Sequence, residues 1–190
     1  MIAFTIHEFS HAFVATRLGD PTPAQDGRLT LNPLKHLDLC GSLMLVLVGF
    51  GWAKPVSIRP DLLLRRNKAG VMLVSFAGPF SNFLLAALAA LIMTFSTGIS
   101  SWIMLFLNQF IWINLSLMVF NLVPLRPLDG EKVLGYFIPQ SVRSIWQRIQ
   151  ENGPQILMLC FLILPYFRIN IFGSVLSPII RGLYSWLVGG

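Results

Sequence analysis

VMLVSFAGPFSNFLLAALAALIMTF, residues Val71–Phe95, carries no charged side chain. A helix needs about 20 predominantly apolar residues to cross a bilayer, and this run exceeds that. Outward from it, Thr97–Ser101 is short and uncharged, and Trp102–Val123 is a second uncharged apolar run of spanning length. Two spans joined by a short turn place their far ends on the same side of a membrane. The flanking segments identify that side. Lys54–Lys68 holds Lys54, Arg59, Arg65, Arg66 and Lys68 against Asp61, and Pro124–Gly153 holds Arg126, Lys132, Arg143 and Arg148. Short basic loops face the cytoplasm.

The composition agrees. Hydrophobic residues make up 55% of the 190-residue chain and charged residues 12%, with a mean hydropathy of +0.70. A soluble domain of this length needs more polar surface. The net charge of +6 raises nucleic-acid binding as an alternative, but the basic residues sit in the gaps between apolar runs, so no nucleic-acid partner is expected. Cys40 and Cys160 lack CxxC spacing and read as buried or inert thiols. Pro154–Phe167 and Ile171–Val188 are further apolar stretches of open topology. Leu39–Trp52 is short and contains Gly41, Gly49 and Gly51, which predicts a small re-entrant β segment. The fold class expected is an all-α membrane protein, a polytopic helix bundle, forming one domain over residues 1–190. Met1–Leu18 reads as a helix closed by Gly19 and Pro21. It is shorter than a span, so the expectation is a first span truncated at its N-terminal end.

That first helix contains His7-Glu8-Phe9-Ser10-His11. Positions i and i+4 share a helical face, so both imidazoles can reach one metal, and Glu8 can take a proton from metal-bound water. Ionisable residues inside membrane helices are costly and usually functional. The alternative is a chance match. Two histidines leave a catalytic zinc one protein ligand short. Asp129, in NLVPLRPLDG (Asn121–Gly130), stands where two prolines break a span, a place where irregular backbone can line a cavity. An ordinary turn aspartate before glycine is the alternative. In AGPFSN (Ala77–Asn82), Asn82 can steady an oxyanion or bond across helices beside Gly78. Asn114 and Asn121 read as interhelical contacts. His36, without a spaced partner, reads as a surface or loop residue.

HEFSH, GRLTLNPLKHLD, GWAKPV, AGPFSN and NLVPLRPLDG occur in an order that resembles the site-2 metalloproteases, closest to the small bacterial and archaeal members without PDZ or CBS modules. The resemblance covers about residues 1–135. It implies that His7, His11 and Asp129 bind Zn²⁺, that Glu8 is the catalytic base, and that Asn82 belongs to the site. It implies peptide-bond hydrolysis in single-span membrane substrates, in a prokaryotic plasma membrane near its cytoplasmic side, with homo-oligomers as an open option. Gly49–Val56 resembles the family's segment for extended substrate, for which a plain surface loop is the alternative. Asp38 is followed by Leu39-Cys40-Gly41 where the family often has Pro-x-Gly. The rival functions are metal transport and binding without catalysis. A transporter would place more His and carboxylates along several spans, and intact Glu8 disfavours an inactive binding protein.

Overall fold

A computed structural model describes residues 1–38, 41, 55–96 and 98–189. Apart from Gly41, the segment expected to form the β element, Leu39–Trp52, lies outside the described residues, as does most of Gly49–Val56. The chain divides into two compact units, Met1–Gly78 and Pro79–Gly190.

The first unit begins with α1 (Ile2–Arg17) and α2 (Thr22–Gln25). A 3-10 turn, Pro33–Lys35, follows, then α3 (Pro60–Arg66) and the opening turns of α4 (Gly70–Phe95). Ala15, Leu63 and Val74 form its buried core, with Val14, Leu18, Ile58 and Val71 packed around them. The hydroxyls of Thr5, Ser10 and Thr16 donate to the carbonyls of Met1, Ile6 and Ala12. Four-back bonding of this kind satisfies polar groups within an apolar helix. α1 ends at Gly19, where φ is +94°, a conformation that glycine adopts without steric cost. The buried Asp20 carboxylate then accepts from the backbone N–H of Thr22 and of Arg59, tying the end of α1 to the start of α3.

Two local features go beyond the sequence reading here. The basic Lys54–Lys68 segment contains α3, with Pro60 in its first turn, Asp61 beside it, and Arg65 and Arg66 in its last turn. That is the charge order a helix dipole favours. His36 is not at the surface: it is fully buried. Its Nε2–H donates to the Thr30 carbonyl at 2.8 Å, and Arg28 donates to the Lys35 carbonyl, so the segment folds over its own imidazole.

In the second unit α4 continues and is followed by α5 (Ser101–Asn121), α6 (Asp129–Phe137) and α7 (Arg143–Glu151). α8 (Gly153–Met158) runs into a π turn and a 3-10 turn that end at Phe167, and α9 (Ile171–Val188) closes the chain. Ala86, Ala89 and Ala90 of α4 pack with Leu107, Ile111, Leu115 and Val119 of α5 and Ile180 of α9. Small residues at helix contacts let backbones approach, as helices in lipid require. Trp112 stacks on Tyr184 with ring centroids 4.9 Å apart. α4 and α5 are long and apolar enough to cross a membrane. Leu84, Leu88, Leu91, Phe95, Trp102 and Phe106 on these helices are exposed, a surface suited to lipid.

Candidate metal centre

In the first unit His7 and His11 are both buried. Their rings meet edge to face with centroids 4.7 Å apart, and their ligand nitrogens lie within 4.8 Å of each other. Nδ1 of His11 is 2.7 Å from the Val74 carbonyl. A carbonyl only accepts, so Nδ1 carries the proton and Nε2 keeps its lone pair. That outer bond is the usual way a protein orients a metal-binding imidazole.

Both Nε2 atoms converge on α4 at Gly78. A Cβ placed there would lie 2.6 Å from His7 Nε2 and closer still to His11 Nε2. Glycine therefore leaves open the space in front of the two nitrogens. Imidazole nitrogens aimed at one shared space suit a borderline-soft cation such as Zn²⁺. Glu8, next along α1, is also buried.

Two residues of the expected site belong to the second unit. Asp129 is the first residue of α6 and is half-buried. The strand of backbone before it is irregular, with a cis Arg126–Pro127 bond. Buried Gln150 clamps this segment: its Oε1 accepts from the Arg126 N–H at 2.9 Å, and its Nε2 donates to the Pro124 carbonyl at 3.0 Å. Gly130 packs against the Leu122 and Val123 carbonyls so closely that a Cβ would overlap them. Asn82 is fully buried, and its Nδ2 donates to Asn114 Oδ1 at 3.0 Å. Asn114 in turn donates to the Phe110 carbonyl. Asn121 donates to the Leu117 carbonyl on its own helix, α5.

Sequence reasoning missed the Val74 carbonyl, the gap at Gly78 and the Gln150 clamp. Gly78 was legible as a helix-packing glycine, but its place opposite the histidines needed the fold. Gln150 gave no signal, because nothing in its neighbours predicts a buried amide.

Comparison with known proteins fixes the family. Residues 96–165 match the profile of peptidase family M50. The chain is 38% identical over 173 residues to the Bacillus subtilis protein named "Putative zinc metalloprotease YwhC", covering 85% of this chain and 77% of that protein. The chain belongs to peptidase family M50. A second relative, "Putative zinc metalloprotease Rip2" of Mycolicibacterium smegmatis, is 31% identical over 161 residues. That alignment takes in 76% of this chain and 58% of Rip2, so the chain spans little more than half of that relative. The Mycobacterium tuberculosis protein of the same name is 31% identical over 152 residues. No solved structure matches the chain.

Proposed function

We propose that this chain is an intramembrane metalloendopeptidase that hydrolyses peptide bonds of single-span membrane proteins within the bilayer. The coarser statement follows from membership of peptidase family M50 and from the relatives' names: it is a zinc metalloprotease. The observation that carries the finer reading is the convergence of the His7 and His11 Nε2 atoms on the space at Gly78, inside an apolar helical chain.

His7 and His11 would hold Zn²⁺ together with Asp129, as the family resemblance implies. When bound, zinc lowers the pKa of its water and polarises the scissile carbonyl. Glu8 takes the proton of the attacking water and passes it to the leaving amine. Asn82 is proposed to steady the oxyanion, with an amide whose orientation Asn114 fixes. Residues 1–190 act as one transmembrane metalloprotease domain, in the plasma membrane of a prokaryote. The active site lies toward the cytoplasmic side, where the basic segments stand, and homo-oligomers are compatible with this reading.

The test uses purified protein in liposomes with a panel of single-span substrates, comparing wild type with Glu8→Gln. Equal zinc content and cleavage by wild type alone are expected. Equal cleavage by both removes Glu8 as the base.

A further inference from the structure

Hydrolysis consumes one water per turnover, and in an apolar interior that water has to be replaced. Ser75 is placed to hold it. Its side chain is buried, and its Oγ has no hydrogen-bond partner among the described residues. Other helical hydroxyls here do not behave this way. Thr5, Ser10, Thr16 and Ser174 each donate to the carbonyl four residues back, whereas Ser75 makes no such bond to Val71. Its backbone carbonyl is exceptional too. The helix partner of that carbonyl would be the N–H of residue 79, which is Pro79, inside α4, and proline has none to give. One residue thus presents a hydroxyl without a partner among the described residues and a carbonyl without its usual helical amide.

Two such groups side by side are what a buried water needs. The location gives that water a use. Ser75 lies three positions before Gly78 on α4, and residues three apart on a helix have Cβ atoms roughly 5–6 Å apart. Gly78 is the point on which both histidine Nε2 atoms converge, and the carbonyl of Val74, the residue before Ser75, accepts from His11. Resting on the proteolytic reading above, we propose that Ser75 is a positioning residue. Its hydroxyl and carbonyl hold a water one helical turn from the metal-binding space and supply it to the hydrolytic step. Ser75 itself touches no reacting atom.

The experiment pairs X-ray hydroxyl-radical footprinting, which oxidises residues beside ordered buried water, with steady-state cleavage. It compares wild type, Ser75→Ala, Ser75→Thr and Pro79→Ala. The footprint is read on the metal-free protein, so it is independent of the proteolytic reading, whose own failure would appear as no cleavage of any substrate by zinc-loaded wild type. In wild type the peptide around Ser75 is labelled. In Ser75→Ala the label falls to background and kcat falls about tenfold, the worth of one hydrogen bond, with KM within about twofold. Ser75→Thr, which keeps the hydroxyl, restores both readouts. Pro79→Ala, which returns an N–H to the carbonyl, weakens the label. An unchanged footprint in Ser75→Ala overturns the bound water. A lost footprint with unchanged kcat overturns its part in the reaction.

Discussion

At the scale of single residues, the two imidazoles work because other groups define what they can do. The Val74 carbonyl fixes the tautomer of His11, and Gly78 leaves room in front of both Nε2 atoms. Gly78→Ala puts a methyl group into that room. The imidazoles must then turn away, and zinc affinity should fall about 10–100-fold, the range for disturbing the groups that orient metal ligands. Zinc titration checks this, with circular dichroism to establish that the helices persist; unchanged affinity would mean that the metal does not bind at this face. The residue pair itself was legible in the sequence, since H-E-x-x-H spacing follows from helix geometry alone. His36, read as a surface or loop residue, does lie in a turn, but its burial depends on Arg28 and Thr30 folding over it, contacts that spacing does not encode. Ser75 gave no signal, because an unpartnered hydroxyl is visible only once its neighbours are placed.

At the scale of elements, the sequence located the long apolar helices within a few residues. Val71–Phe95 appears as Gly70–Phe95 and Trp102–Val123 as Ser101–Asn121. Apolar composition defines such helices without help from tertiary contacts. The short polar elements were harder. α3 and α7 lie in segments read as basic loops, where the charges that report membrane sidedness mask helix signals such as Pro60 and Asp61. The break before α6 was legible from Pro124 and Pro127, but its stiffness was not: it comes from Gln150, distant in sequence. Gln150→Leu leaves the Arg126 N–H and the Pro124 carbonyl without these partners. Both bonds are part-buried, so their loss should cost about 1–2 kcal/mol. A denaturation series in detergent measures that cost, and a loss below about 0.5 kcal/mol, the scale of an ordinary surface substitution, would show that the clamp is dispensable.

For the whole molecule, the bilayer is the organising solvent. It explains the apolar exterior of α4 and α5, the small-residue contacts of the helical core and the hydroxyls bonded back to their own helices. Membership of the M50 family makes the chain a zinc metalloprotease, and the buried histidine pair is its proposed centre, to which the sequence pointed through several motifs in order. The proposed third ligand, Asp129, lies far along the chain, so its selection rested on resemblance rather than on spacing. X-ray absorption spectroscopy of zinc-loaded Glu8→Gln protein, beside its Asp129→Ala derivative, addresses that assignment directly. The account predicts one zinc per chain with two imidazole nitrogens at about 2.0–2.1 Å and a carboxylate oxygen, and loss of bound zinc in the Asp129→Ala protein. A zinc shell without imidazole nitrogens, or an unchanged shell and occupancy after removal of Asp129, would contradict it.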